Sequence, residues 1–295
     1  MNTPFRSGFV AIVGRPNVGK SSIMNHFVGE KVAIVSDRPQ TTRNKILGVA
    51  TGDDWQVVFV DTPGLHKPRT KLGTYMMKTA VDARDGVDAV MLVVDGQHIG
   101  AGDRAAMEDI TRLKCPKFLA VNKVDLVTPD QLLPQLATID PDIFDQIVSV
   151  SAKTGDNMDT LLKLLTDAMP EGPQYFPADM ITDQPERVLC GEIIREKALL
   201  NLREEIPHGI GVEMMSIKKL SDNLTEIHAT IYCERAAHKS IIIGKKGAML
   251  QRIGTAARLD IERLLGTKIM LELWVKVREG WRDRMDDLRT LGYED

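Results

Sequence analysis

"FVAIVGRPNVGKSS", residues 9–22, decides the fold of the first half of this 295-residue chain. An apolar run of strand type stops at a glycine. From Gly14 to Ser21 the chain then fits G-x-x-x-x-G-K-[ST] without a gap, and a helical pattern follows at once. Strand, glycine-rich turn and helix in that order make a phosphate cradle. Gly14 and Gly19 let backbone N–H groups turn onto phosphate oxygens, and Arg15, Pro16, Asn17 and Val18 complete the loop. Lys20 is placed to reach the β- and γ-phosphates, and Ser21 to put its hydroxyl on Mg²⁺. The dipole at the helix N-terminus adds to the anion site.

Outward from this loop, short apolar runs alternate with amphipathic stretches to about residue 169. Residues 9–14, 55–61, 88–95, 116–123 and 145–152 read as buried strands. Helical patterns fall at 20–28, 71–84, 102–113 and 156–168. The alternation predicts an α/β domain, a mostly parallel sheet with helices on both faces.

Further signals sit at strand ends in the order such a sheet requires. "DTPG" (61–64) places Asp61 to hold Mg²⁺ through water and the Gly64 N–H to meet a γ-phosphate, with Thr62 and Pro63 between them. "NKVD" (122–125) gives Asp125 as an acceptor pair for the N1–H and 2-amino group of guanine. Adenine would leave that carboxylate unpaired. Asn122 reaches the other edge of the base, and the Lys123 stem covers the ring. "SAK" (151–153) brings Ser151, Ala152 and Lys153 to the same place, with the Ala152 N–H aimed at guanine O6. In "PQTTR" (39–43), Thr42 is the expected γ-phosphate-dependent Mg²⁺ ligand and Thr41 the alternative. Leu65 follows "DTPG" and cannot align an attacking water, so slow intrinsic hydrolysis is expected.

Composition sets limits. At 43% apolar and 27% charged the chain reads as an ordinary globular protein of two domains. Cys115, Cys190 and Cys233 form no CxxC pair, which argues against a disulfide framework or a zinc site and fits a reducing cytosol. No apolar run approaches the ~20 residues needed to cross a bilayer. The net charge of −3 does not advertise nucleic acid, but a whole-chain figure hides local patches.

Prolines 170, 173, 177 and 185 mark a linker, after which the texture changes. Boundaries are expected at 7–170 for the first domain, 171–188 for the linker, 189–280 for the second domain and 281–295 for a C-terminal helix and tail. The second domain reads α-β-β-α-α-β. Between its later helices lies "IIIGKKGAML" (241–250), whose G-x-x-G, Gly244-Lys245-Lys246-Gly247, lacks the spacing of a second phosphate loop. KH domains use such a loop to clamp about four nucleotides of single-stranded backbone. Ile241, Ile242, Ile243 and Met249 are expected to line a groove for bases, with Lys239 and Arg252 adding charge. From Arg235 to Arg278, ten Lys/Arg face three acids, a local net of +7. Trp274 and Trp281 are read as packing between the last strand and the terminal helix, with base stacking as the alternative.

A P-loop GTPase domain followed by a type II KH domain resembles the bacterial Era GTPases. The resemblance rests on "GRPNVGKSS", "PQTTR", "VDTPGLH", "NKVD", "SAK", "EIIREK", "IIIGKKGAML" and "LELWVKVREGW". It implies binding and hydrolysis of GTP, contact with small-subunit ribosomal RNA near the 16S 3′ end, and a part in 30S subunit assembly. It also implies a cytoplasmic monomer with peripheral attachment to the inner membrane face. In the related translation-factor-type GTPases, an asparagine at the position of Asn17 ligates K⁺; here Asn17 either does so or only shapes the loop. Two other readings compete: a membrane-peripheral signalling GTPase whose second domain binds protein, and an RNA scaffold with an inactive nucleotide site. Intact Lys20, Ser21 and Asp61 oppose the latter.

Overall fold

The computed structural model describes residues 4–35, 42–63, 70–82, 86–202, 206 and 209–293. The chain divides into two compact units: among the described residues the first holds 4–35, 42–63 and 76–183, and the second holds 70–75 and the residues from Gln184 on.

In the first unit the elements run β1 (Arg6–Val13), α1 (Lys20–Val28), β2 (Ile46–Thr51), β3 (Trp55–Asp61), α2 (Lys71–Asp82), β4 (Ala89–Asp95), α3 (Ala101–Ile110), β5 (Lys117–Asn122), α4 (Pro129–Leu136), β6 (Gln146–Ser149) and α5 (Met158–Ala168). The sheet order is β2-β3-β1-β4-β5-β6. Every pairing is parallel except β2 with β3. The apolar runs of β1 and β4 are buried along nearly their whole length, as central parallel strands must be. Ile23, Met24 and Phe27 of α1 and Leu161 and Leu165 of α5 cover one face. Ala106, Met107 and Ile110 of α3 cover the other. This arrangement brings the C-terminal ends of β1, β3 and β5 to one edge, where the conserved geometry of such sheets places ligands.

Two features were not legible as elements. "ILGVAT" becomes β2 only because β3 offers it a partner in register from Ile46↔Asp61 to Thr51↔Gln56. The proline-rich segment read as a linker is held against the first unit over much of its length. Gly172 N–H donates to Phe5 O, and Ser7 Oγ to Pro173 O. The fully buried Gln56 amide accepts from the N–H groups of Tyr175 and Phe176 and donates to Phe176 O. Val49 N–H donates to Ile181 O, and Thr182 Oγ1 to Leu47 O, so the strap adds to the free edge of β2.

The second unit runs α6 (Glu186–Asn201), β7 (Gly211–Ser221), β8 (Leu224–Cys233), α7 (Ala236–Ile243), α8 (Ala248–Leu265), β9 (Lys268–Val277) and α9 (Met285–Thr290). Helix α6 starts at Glu186, directly after Pro185 and inside the stretch expected to be linker. The sheet order is β7-β8-β9, antiparallel then parallel. Ile227, Ala229, Ile231 and Cys233 of β8 meet Ile193 and Ile194 of α6 and Ile253, Ala257 and Ile261 of α8. The alternate residues of β9, Met270, Glu272, Trp274 and Lys276, are exposed. The three cysteines are free, and burial pushes the Cys190 thiol up to about 12. The C-terminal segment packs into this unit. Trp281 is fully buried, donates from Nε1 to Gly209 O at 3.0 Å and stacks on Tyr293. A Cβ on Gly211 would come within 2.8 Å of Leu291 Cδ1, so glycine is what lets this segment close. Among the described residues no helix is long and apolar enough to cross a membrane.

The strap is a testable feature. Gln56→Ala leaves the Tyr175 and Phe176 N–H groups without their acceptor and is expected to cost about 2–4 kcal/mol. Thermal unfolding of the variant reads that loss, and limited proteolysis is expected to cut it between residues 171 and 182, where the parent resists.

Candidate phosphate, metal and base site, and a second-unit groove

Left-handed backbone shapes the phosphate loop. Gly14 has φ 145°, Asn17 66° and Gly19 100°. A Cβ at Gly14 would lie 2.4 Å from Val93 O, and one at Gly19 2.1 Å from Asn122 Nδ2. Both glycines are therefore fixed by close approach as well as by φ. Lys20 is buried and donates from Nζ to the carbonyls of Gly14 and Arg15, each at 3.1 Å. Burial holds its pKa below the usual lysine value, against the pull of Asp61. Arg15 is clamped to α3: Nε donates to Asp103 Oδ1 at 2.7 Å and Nη2 to His98 O at 3.2 Å. The other Asp103 oxygen accepts the Gly100 N–H. Val18 gives its carbonyl to Asn122, Pro16 is half-buried and Asn17 is exposed.

Three residues singled out for Mg²⁺ converge from three parts of the chain. Ser21 Oγ donates to Asp61 Oδ2 at 2.6 Å, Thr42 Oγ1 donates to the same oxygen at 3.2 Å, and the two hydroxyls lie 3.0 Å apart. Asp61 is fully buried, and among the described residues its Oδ1 has no hydrogen-bond partner. Burial raises its pKa above the usual carboxylate value, opposed by Lys20 and by the bonds from Ser21 and Thr42. A buried carboxylate oxygen without a donor, beside two hydroxyls, fits a hard divalent cation that completes its shell with water and phosphate. Among the described residues no group of three His, Cys, Asp or Glu competes for a metal. Thr62 ties the end of β3 to β1 through Oγ1 to Ile12 O, and Pro63 is buried beside it. Thr41, Gly64 and Leu65 lie outside the described residues.

The residues expected to recognise the base meet at the ends of β5 and β6. Asn122 joins three segments: Nδ2 donates to Val18 O at 2.8 Å, and Oδ1 accepts the Ala152 N–H at 3.0 Å. In this structure, then, Asn122 fastens the base site to the phosphate loop, and the Ala152 N–H is directed at Asn122. Ser151, fully buried, donates from Oγ to Asp125 Oδ1 at 2.7 Å and so orients the carboxylate. Lys123 takes a left-handed φ of 66° and pairs through Nζ with Asp95 Oδ2 at 2.7 Å, while Lys153 is exposed. Sequence reasoning missed Asp95 and Asp103. Each follows a strand or opens a helix with no motif to mark it.

In the second unit the G-x-x-G loop also depends on left-handed backbone, with φ 72° at Gly244, 52° at Lys246 and 81° at Gly247. A Cβ at Gly244 would lie 2.7 Å from Met249 Cβ. Lys245 and Lys246 are exposed. A groove of about 360 Å³ runs from Gly247 along Leu250, Gln251, Gly254, Thr255 and Arg258 of α8 to Leu271 and Leu273 of β9. The expected apolar lining is corrected here. Ile242 is fully buried and belongs to the core, and Ile243 and Met249 pack against that core. The Ile241 side chain is exposed, and Lys239 and Arg252 stand on α7 and α8 outside the groove lining. The missed lining does have a signal. Positions 247, 250, 251, 254, 255 and 258 form an i, i+3, i+4 stripe beside the core stripe of Ile253, Ala257 and Ile261.

Known proteins resemble both units. A family described as "50S ribosome-binding GTPase" matches residues 9–123, and a KH domain family matches residues 205–282. The GTPase Era of Alkaliphilus metalliredigens is 53% identical over 294 residues, 98% of this chain and 99% of the relative. That of Clostridioides difficile is 53% identical over 295 residues, 99% of each chain. A crystal structure of an Aquifex aeolicus Era variant bound to GDP and AlF4⁻ matches with a TM-score of 0.94 at 38% identity, covering 99% of this chain and all of that one. An Era structure in complex with MgGDPNP and nucleotides 1506–1542 of 16S ribosomal RNA matches with a TM-score of 0.93 at 38% identity and the same coverage.

The raised pKa of Asp61 gives a pH test. Mg²⁺ needs the carboxylate, whereas burial favours the carboxylic acid, so metal and proton compete for Asp61. Mg²⁺-dependent nucleotide affinity is expected to fall as pH drops through that raised pKa. Calorimetry in buffers of different ionisation enthalpy reads the released proton. In the same assays Gly19→Ala is expected to weaken nucleotide binding by about a hundredfold or more, since its Cβ meets Asn122 at a strained φ.

Proposed function

Since the chain belongs to the Era family of GTPases, and is thus a GTP-hydrolysing enzyme with an RNA-binding KH domain, we propose that its nucleotide cycle serves assembly of the small ribosomal subunit. The second unit holds single-stranded RNA from the 3′ end of 16S ribosomal RNA. The observation that carries this reading is that one chain builds both sites: the Ser21–Thr42–Asp61 cluster on a P-loop, and a G-x-x-G loop opening onto an elongated groove.

The roles follow from the geometry. The phosphate loop, Gly14 to Ser21, cradles the β- and γ-phosphates, and Lys20 leaves its two carbonyl partners to meet them. Ser21 and Thr42 ligate Mg²⁺ directly and Asp61 holds it through water; the ion supplies charge neutralisation on the β- and γ-phosphates. Gly64 meets the γ-phosphate. Asp125, oriented by Ser151, accepts from guanine, with Asn122, Lys123, Ala152 and Lys153 around the base. Asn17, exposed in the phosphate loop, would offer its side-chain oxygen to K⁺. On the G-x-x-G loop, Lys245 and Lys246 meet RNA phosphates where the glycines let backbones approach closely. Membrane attachment and a monomeric state follow from the same family reading, and are tested by vesicle sedimentation and size-exclusion chromatography of the full chain.

Asp125→Asn keeps an oxygen for Ser151 but gives the base a donor where guanine also has one. Preference is expected to move from guanine to xanthine nucleotides by roughly a hundredfold or more, read by nucleotide competition. Equal binding of ATP and GTP by the parent would refute the guanine reading.

Replacing Lys245 and Lys246 together with Asp puts carboxylates against phosphates. Each lost contact is worth ~1 kcal/mol, so RNA affinity should fall by several kcal/mol and its salt dependence should flatten. GTP turnover without RNA is expected to stay at the parent rate. Coupling is reciprocal: if the GTP and GDP forms differ in RNA affinity, RNA shifts nucleotide affinity by the same factor. RNA titrations with a non-hydrolysable GTP analogue, with GDP and with neither decide this. Equal affinity in all three leaves two independent modules and rules out nucleotide control of RNA binding.

A further inference from the structure

The face of the β7-β8-β9 sheet turned away from α6 and α8 carries an exposed tryptophan that the GTPase and groove readings leave without a task. Trp274 is 45% exposed, against the sequence reading that packed it beneath the terminal helix. It sits across from Thr230 on β8, and the His228 ring lies 5.4 Å from its centre at 42°. Met215, Ser216, His228, Thr230, Trp274 and Lys276 line a pocket of about 340 Å³. We propose that this pocket is a second RNA subsite, in which a base of the strand leaving the groove stacks on Trp274. The proposal rests on the reading of the groove as an RNA site.

Three observations point to a nucleobase. First, an open-sided pocket with an aromatic wall, a second ring and two hydroxyl residues suits one planar ring with polar edges, the pattern by which sheets bind single-stranded bases. Second, the charges fix how a nucleotide would lie. His228 stands between Glu226 Oε2 at 3.4 Å and Glu272 Oε2 at 3.5 Å. Those carboxylates repel a phosphate at the His228 end and can accept from an exocyclic amino group. Lys276, on the other side of Trp274 along β9, attracts the phosphate. Third, the pocket and the groove share strand β9, one on each face. β9 is an edge strand of its sheet, and successive side chains point to opposite faces, so Leu273 lines the groove while Trp274 faces the pocket. A strand longer than the roughly four nucleotides that a G-x-x-G groove clamps can pass over this edge. A protein partner would favour a continuous apolar patch, whereas the exposed Met215, Met270 and Trp274 here are interrupted by Glu272 and Lys276.

The test compares two RNAs on the full-length chain: an oligonucleotide of about five residues that fills the groove alone, and one of about twelve that extends past it. Trp274→Ala is expected to weaken the longer RNA about tenfold or more and to leave the shorter unchanged. Trp274→Phe, which keeps a stacking face, is expected to recover most of that loss. Lys276→Ala is expected to lower the salt slope by about one for the longer RNA only. A 2-aminopurine placed beyond the groove is expected to be quenched by the parent and not by Trp274→Ala. Unchanged affinity of Trp274→Ala for the longer RNA overturns the proposal. So does an equal loss on both lengths, and so does weaker binding to small ribosomal subunits with naked RNA unaffected, which assigns the face to a protein. Failure of the parent to bind the shorter RNA overturns the groove reading itself, and this subsite with it.

Discussion

The amide of Asn122 holds the nucleotide site together. Its two ends join the phosphate loop, at Val18, to the turn after β6, at Ala152. The side chain lies so close to the loop that Gly19 has no room for a Cβ. One strand end thereby sets the position of the phosphate cradle, the base pocket and the start of α1. The next residue, Lys123, then has to take a left-handed backbone, and its ammonium swings to Asp95 at the end of β4. Adjacent strand ends are thus tied by side chains as well as by the sheet ladder.

Around this frame the charges are arranged for a ligand. Lys20 and Asp61 are both buried, and burial pushes each toward its neutral form. Ser21 and Thr42 partly satisfy Asp61, but among the described residues its Oδ1 has no donor. Buried groups of this kind are costly to maintain, and cations or anions that complete their shells relieve that cost. The Arg15–Asp103 pair acts in the opposite sense. Its carboxylate is fully satisfied by Arg15 and Gly100, so it pins the loop crest to α3.

The second unit uses one sheet for two surfaces. Alternation along β8 sends Ile227, Ala229, Ile231 and Cys233 into the helical core. Alternation along β9 divides its residues between the groove and the opposite face. The groove exists because α8 presents Gly254 and Thr255 toward β9, and a Cβ on Gly254 would touch Leu273 at 3.4 Å. The terminal segment closes the unit elsewhere, through Trp281 in the core near Gly209 and Gly211.

Contiguous chemistry was legible in the sequence. The phosphate loop, "DTPG", "NKVD", "SAK" and "GKKG" each place several demands on neighbouring residues: a left-handed φ, a bare Cα, a hydroxyl or a carboxylate next to a strand end. Such local demands survive without any knowledge of the fold, and the apolar runs of buried parallel strands are equally local. Tertiary structure decided the rest. Nothing in "ILGVAT" marks a strand until β3 pairs with it, and nothing in the prolines after residue 170 shows that Gln56, more than a hundred residues earlier, will hold them. Asp95 and Asp103 acquire partners only through the order of the strands. Trp274 and Trp281 lie seven residues apart in one polar, basic stretch, yet one faces outward and the other is fully buried. The parity of an edge strand and the packing of the chain end separate them. Backbone and phosphate chemistry are short-range and are written in neighbouring residues, whereas burial and pairing depend on which distant segments the sheet brings together.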